Sequence, residues 1–279
     1  MSNTGRDLPS FKKPPVLEVA VGIQFEPIKD LRNPYLGVLW ERYRDKLPKL
    51  EEHYPRPPVP ETFEPVSGRQ RQVRLQVLDT PPVSRVWFMS KDGREFVQVQ
   101  QDRFVFNWRR HSGEDEYPRY SYVRKRFVET LSVFEQFLAE QDLGRVVPNQ
   151  SEVSYLNHIS AGMGWRGFDS LDSVIPSWQP RYSEAFLPPA EEVRLAVRYG
   201  IASDDDQPLG RLHITAEPGY RPDGGAMLIL HLTARGKPSA PTIGSAIDFL
   251  DTGRAWIVRG FAAFTSTEMH REWERANGS

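Results

Sequence analysis

The sequence predicts an α+β fold, built of mainly antiparallel sheet with long amphipathic helices packed on one face. Three features point there. Residues 85–109 read as three strands joined by two tight turns. Residues 16–25 alternate apolar and polar, as a half-buried strand does. Two long segments, near 120–142 and 243–264, repeat apolar residues at helical spacing. The composition permits one large domain or two of ordinary size, with 279 residues, 39% hydrophobic and 26% charged. The expected order is β-α-β-β-β-α-β over residues 14–160, then β-β-β-α over 191–279. Residues 1–13 are expected to form a flexible tail, and 161–190 a connector rich in Gly and Pro. The matching element order suggests two similar halves.

In the first strand, Leu17, Val19, Val21, Ile23 and Phe25 share one face, and Glu18, Ala20, Gly22 and Gln24 the other. The small Ala20 and Gly22 would let another backbone or a helix approach closely. Asn33-Pro34 reads as an N-cap followed by proline at the first helical position. The stripe behind it is Leu36, Leu39, Trp40, Tyr43, Leu47 and Leu50, interrupted by Pro48 in its last turn. Pro55, Pro57, Pro58, Pro60 and Pro65 then make an extended, polyproline-like crossing of the surface.

The register of the next three strands can be worked out. Asp92-Gly93 favours a two-residue type I′ turn, because both positions take positive φ. That turn pairs Phe88 with Val97, Val86 with Val99, Met89 with Phe96 and Trp87 with Gln98. A second turn at Gln101-Asp102 pairs Val99 with Phe104, Val97 with Phe106 and Phe96 with Asn107. One face (Val86, Phe88, Val97, Val99, Phe104, Phe106) is wholly apolar and must be core. The other carries Arg85, Trp87, Met89, Phe96, Gln98, Arg103, Val105, Asn107 and Arg109. A solvent-facing sheet surface is normally polar. A mixed surface is expected to be covered, either by the second half of the chain or by a ligand or partner.

The helix near 120–142 buries Val123, Phe127, Leu131, Phe134 and Leu138 and stops at Gly144. Arg124, Lys125 and Arg126 in its first turns join Arg109, Arg110 and Arg119 in a basic cluster, which reads either as an anion or phosphate site or, in preference, as a solvated helix face that Glu114, Asp115 and Glu116 would neutralise. Residues 152–159 form a further strand. After the connector, Val193 to Ile201 alternates, and Asp204 to Asp206 marks a turn without calcium-loop spacing. A hairpin follows around Pro222-Asp223-Gly224-Gly225, with Leu212 and Ile214 facing Leu232 and Leu230 and His213 beside His231. The last long helix turns Ile243, Ile247, Leu250, Ile257, Phe261 and Phe264 inward. Thr265 to Glu268 has capping-box spacing for a short final helix.

A net charge of −1 and a pI near 6.6 give no global field for nucleic acid or anionic membrane. The absence of cysteine excludes disulfides, thiolate metal sites and cysteine nucleophiles. No apolar run is long enough for a signal or a membrane span, so cytoplasm is the expected location. Gly162-Met163-Gly164-Trp165-Arg166-Gly167 matches a dinucleotide motif literally, but Pro176 leaves room for little more than two helical turns at its end and no parallel βαβ pattern follows. No serine elbow, zinc motif or phosphate loop is present, and no cofactor is expected. The basic and aromatic residues between 103 and 126 are of the kind that stack single-stranded nucleic acid, although the near-neutral pI weighs against that role.

Pro14-Pro15-Val16-Leu17-Glu18-Val19, Leu39-Trp40-Glu41-Arg42-Tyr43, Gln98-Val99-Gln100, Asp102-Arg103-Phe104, Asn107-Trp108-Arg109, Tyr117-Pro118-Arg119-Tyr120 and Tyr155-Leu156-Asn157-His158-Ile159 together resemble motifs of a sporadically distributed family of uncharacterised bacterial proteins of about this length. The resemblance spans Phe11 to Trp273 and implies no activity. A patchy distribution implies accessory genes such as defence or toxin-linked loci.

The expected function is non-catalytic binding of a protein partner or small ligand on the mixed face. Trp87, Phe96, Gln98, Asn107 and Arg109 would line it, joined by Tyr155, Asn157 and His158 where their strand pairs nearby. The rival is an enzyme using His158, or His213 with His231, as general base. Pairing of open aromatic faces across a two-fold axis would instead give a homodimer.

Overall fold

The computed structural model describes residues 8–63, 83–112, 115–179, 184, 186–188, 190–203, 206–221 and 223–276. Residues 1–7, Pro65, Glu114, Asp204, Asp205 and Pro222, each invoked above, lie outside the described residues. The elements are β1 (Ser10–Phe11), β2 (Val16–Phe25), α1 (Asn33–Tyr43), β3 (Lys49–His53), β4 (Arg85–Met89), β5 (Glu95–Gln100), β6 (Arg103–Arg109), α2 (Arg119–Glu140), β7 (Pro148–Ser160), β8 (Leu195–Ala202), β9 (Pro208–Tyr220), β10 (Ala226–Gly236), α3 (Ile243–Phe264), α4 (Thr267–Glu272) and β11 (Arg275–Ala276).

The fold is α+β. Among the described residues nine strands form one antiparallel sheet in the order β3-β4-β5-β6-β2-β7-β10-β9-β8. The meander has the expected register at every pair, with Trp87 opposite Gln98 and Phe96 opposite Asn107. The first turn is not the expected type I′: Gly93 takes φ of +76° but Asp92 does not take positive φ, and the Asp92 carboxylate instead holds the turn by accepting from the Ser90 hydroxyl and the Arg94 backbone N–H. β2 lies near the middle because its apolar face is unbroken from Val19 to Phe25, so it gains by burial between β6 and β7.

The long helices sit on one face of the sheet. Phe127 and Phe134 of α2 pack on Phe104, with ring centroids 6.1 and 5.3 Å apart, and Phe134 also meets Phe25 at 6.1 Å. Tyr43 of α1 stacks on Phe88 at 5.5 Å and donates its hydroxyl to the Thr130 carbonyl. α3 closes on β7 and β10 through its small residues: an added Cβ at Gly253 would sit 3.1 Å from Ala234 Cβ. Its buried stripe is therefore Ala246, Phe249, Leu250, Gly253, Ile257 and Phe261, whereas the larger Ile243, Ile247 and Phe264 stand at its margin.

Several expectations need correction. Leu50 is exposed and belongs to β3, an edge strand, because the first helix ends at Tyr43 before Pro48. Arg32, not Asn33, is the N-cap residue; the Asn33 side chain instead accepts from the Ser84 backbone N–H. Residues 10–13 are not a loose tail. β1 pairs with β11, and buried Phe11 packs against Phe261, His270 and Trp273. The hairpin register is two residues off, with Ile214 opposite Leu232 and Leu212 opposite Ala234. The slip keeps each side chain on its face but moves His213 opposite Thr233 and His231 opposite Thr215. Ser266 rather than Thr265 caps α4, and Thr265 bonds His270. The connector buries Trp165, Leu171, Val174 and Ile175. Within it, Gly164 leaves room for Met269 of α4, a packing role in place of phosphate binding.

Candidate functional site

The face of the sheet opposite the helices holds a cavity of about 330 Å³. Its floor is made by the small or short side chains Ala20, Gly22 and Val105 together with Leu156. Gly22 is required there, since an added Cβ would fall 2.7 Å from Val105 Cγ2. Its walls include Trp87, Gln98, Asn107 and Arg109 from the meander, Glu18 from β2, and Glu152, Ser154 and His231 from β7 and β10.

One hydrogen-bonded relay orients the polar wall. Arg85 Nη1 donates to Gln98 Oε1 (3.1 Å), and Gln98 Nε2 donates to Asn107 Oδ1 (2.7 Å). Asn107 Nδ2 donates to Glu18 Oε1 (2.6 Å), and Arg109 Nε donates to Glu18 Oε2 (2.7 Å). Each amide therefore has a single sensible orientation, set at one end by a guanidinium and at the other by a carboxylate. Alternating strand geometry brings these groups together, because Gln98, Asn107 and Glu18 occupy same-face positions on three adjacent strands.

The aromatic residues form a second row. His53, Trp87 and Phe96 lie side by side, with centroids 4.2 and 4.8 Å apart, and the Arg109 guanidinium sits 5.0 Å from the Phe96 ring. Phe96 is 1% exposed and supports the wall rather than lining it.

Part of this face is covered, though not by the C-terminal half, which extends the sheet edge to edge. The cover among the described residues is the proline-rich segment 54–63. Three glutamines hold it. Gln100 accepts from Arg56 N (2.9 Å) and donates to Arg56 O (2.8 Å); Gln150 accepts from Glu61 N (2.7 Å) and donates to Val59 O (2.8 Å); Gln24 accepts from Val59 N (3.3 Å). Proline leaves few backbone N–H groups in this crossing, and side-chain amides satisfy those remaining. Farther along, Glu61 receives Arg211 and His213, each at 2.8 Å. Burial pushes the Glu61 carboxyl up, but those two partners outweigh it and hold it below the usual carboxylate range.

Of the sequence-derived site residues, Trp87, Gln98, Asn107 and Arg109 line the cavity and Phe96 backs it. Tyr155 and Asn157 alternate onto the helix side of β7. They border a separate cavity of about 90 Å³ with Tyr117, Arg119, Tyr120 and Arg254. Tyr155 and Tyr117 share a hydroxyl–hydroxyl bond of 2.8 Å there. His158 is on the open face, opposite Ile229, and outside the cavity wall. His213 is engaged by Glu61, whereas His231 reaches the cavity and hydrogen-bonds Ser154. Burial holds His231 below the usual imidazole value. The basic stretch 103–126 is divided among partners: Arg124 pairs with Asp251, Arg126 with Glu95 and Glu129, and Lys125 with Glu129. Of the carboxylates expected to neutralise it, Asp115 pairs with Arg94 and its charge also acts on Arg110.

Sequence reasoning missed Glu18, Arg56, Glu152 and Ser154. The alternation of β2 placed Glu18 on the non-core face, but only the long-range pairing of β2 with β6 brings it to Asn107. Among the described residues no cluster of His, Asp and Glu is suited to hold a metal, and no helix is long and apolar enough to cross a membrane. The chain matches no protein-family model, no curated protein and no solved structure in the comparisons made.

Proposed function

We propose that the protein is a non-catalytic binding module whose guest is a small ligand held in the cavity on the open face of the sheet. The observation that supports this most is the Arg85–Gln98–Asn107–Glu18–Arg109 relay, which fixes donors and acceptors around a space of about 330 Å³. That volume is at the lower end of the range for small-molecule sites. A face serving only as structure would have little reason to hold its amides oriented around an open space. The rival catalytic reading would draw on Ser154 and His231, which share a hydrogen bond at the cavity wall. A nucleophilic serine also needs a group orienting the second imidazole nitrogen, and no such partner of His231 occurs among the described residues.

The test fills the cavity. Ala20→Trp places a large ring on its floor without touching the helix side. Purified wild type and variant are exposed to a pool of small metabolites and examined by native mass spectrometry. Wild type is expected to retain at least one ligand that the variant does not, with thermal stability alike. Equal retention by both proteins, or no retention by wild type, would overturn the reading.

A further inference from the structure

The cavity's charges do not balance. Its two acidic wall residues are already paired, Glu18 with Arg109 (2.7 Å) and Glu152 with Arg235 (2.5 Å). Arg56 and Arg103 also line it, and neither forms an ion pair among the described residues, although Asp102 and Glu152 act on Arg103 from beyond ion-pair distance. Arg103 Nη2 bonds only neutral acceptors, Gln24 Oε1 (2.8 Å) and the Pro57 carbonyl (3.2 Å). Behind them lies Arg85, 7% exposed, bonded to Gln98 and set 5.4 Å from the Trp87 ring centroid. Burial, and then the nearby charges of Arg56 and Arg103, lower Arg85 to about 10, so it remains a cation at neutral pH. Among other half-buried arginines, Arg126 has Glu95 and Glu129 and Arg211 has Glu61, whereas Arg110 bonds the Pro14 carbonyl and Arg254 lies over the Tyr120 ring. Arg56 and Arg103 differ from these two in lining the cavity together.

Unused donors mark the same corner. The Nε atoms of Arg85 and Arg103 and the indole Nε1 of Trp87 are buried without an acceptor among the described residues. His53 and Phe96 flank the Trp87 ring and fix it in the cavity wall. Asp102 and Glu152 offset part of the repulsion on Arg103 without pairing with it, and three neighbouring guanidiniums around one corner of the cavity remain complementary to a group with negative charge and several acceptor oxygens.

We propose that this corner binds the oxyanion group, phosphate or carboxylate, of a small ligand. The assignment rests on the reading of the open face as a ligand cavity and names what its guest must carry. Arg56 and Arg103 contact the oxyanion, and Arg85 is a positioning residue acting through Gln98 and Trp87. Neutral acceptors from Gln24, Gln98 and Pro57 hold the guanidiniums in place without cancelling their charge.

The experiment titrates the full chain at low ionic strength with inorganic phosphate, pyrophosphate and citrate, following thermal midpoint and heat of binding. Wild type is expected to respond saturably to at least one of them. Arg103→Gln should weaken that response at least tenfold, Arg103→Lys by less, and Arg85→Gln about threefold. Arg124→Gln, which removes the partner of Asp251 on the helix side, should respond as wild type does. A response to phosphate or pyrophosphate without citrate identifies a phosphate group, and the reverse a carboxylate. No saturable response in wild type, or equal responses from Arg103→Gln and Arg124→Gln, would overturn the assignment. A neutral metabolite excluded by Ala20→Trp but indifferent to Arg103→Gln would overturn the oxyanion alone and leave the cavity reading standing.

Discussion

Asn107→Ala breaks the relay at its middle. Asn107 is 1% exposed, accepts from Gln98 at 2.7 Å and donates to Glu18 at 2.6 Å. Truncation strands a buried amide N–H and removes a donor from an ionised carboxylate. A neutral hydrogen bond contributes about 1 kcal/mol net, and one to a charged group about 1.5–3 kcal/mol. Glu18 keeps Arg109 and 19% side-chain exposure, so water recovers part of the loss. The expected destabilisation is about 2–3 kcal/mol, read as a lower urea midpoint at unchanged slope. Asn107→Asp adds a pH signature. It sets a second carboxyl against Glu18, and the two then share a proton. The new carboxyl has a folded pKa raised above its unfolded value, so the folded state holds the extra proton. Stability should therefore approach that of wild type in acid and be lost as pH rises through the raised pKa. An Asn107→Ala protein within about 0.5 kcal/mol of wild type, or an Asn107→Asp deficit that does not vary with pH, would refute the relay.

Other consequences of the fold can be measured in the same way. Tyr43→Phe leaves the Thr130 carbonyl without the hydroxyl that donates to it at 2.7 Å, and should cost about 1–2 kcal/mol; a neutral result would mean the α1–α2 bond is not formed. Gly236→Ala drives a methyl into the Leu209 carbonyl and the Phe249 ring, with an expected loss of at least about 2 kcal/mol; a stable variant would contradict the β9–β10–α3 packing. Burial holds His158 and His231 below the usual imidazole value, so the unfolded chain takes up protons first as pH falls. Stability should then decline below about pH 6.5, by at most about 1.4 kcal/mol per pH unit for each histidine. The loss should be smaller for partly exposed His158, and the double Gln variant should show a shallower slope.

The part of the fold held by local rules was legible. A tight turn around Asp92-Gly93 and strict alternation leave one register for β4, β5 and β6 although the turn is not type I′, and that register separates Val97 and Phe106 from Gln98 and Asn107. The α2 stripe was legible for the same reason, as its five predicted residues are all buried. Elements governed by distant partners were not. Leu50 fits the spacing of the α1 stripe, and β3 has an exposed edge pattern with no apolar alternation. The faces of β7 are both mixed, so which one meets the helices depends on its pairing with β2 and β10. That choice sends Tyr155 and Asn157 to the helix side and Ser154 to the cavity. Glu18, Arg56 and Glu152 read as ordinary solvated charges, and only the assembled sheet shows that Arg56 faces arginines rather than carboxylates.

The Trp87 indole resonance gives the most direct test of the open face as a binding site. Trp87 and Trp165 both have a buried indole N–H without an acceptor among the described residues, but only Trp87 lines the cavity. Trp165 is packed beside Phe168 in the segment after β7. In a ¹⁵N-labelled protein assigned with Trp87→Phe and Trp165→Phe, pyrophosphate or a ligand recovered from the metabolite pool is titrated in. The Trp87 indole signal should shift and saturate with the binding curve, because the ring lines the cavity, while Trp165 stays in place. A ligand that binds while the Trp87 signal remains fixed would contradict the placement of the site.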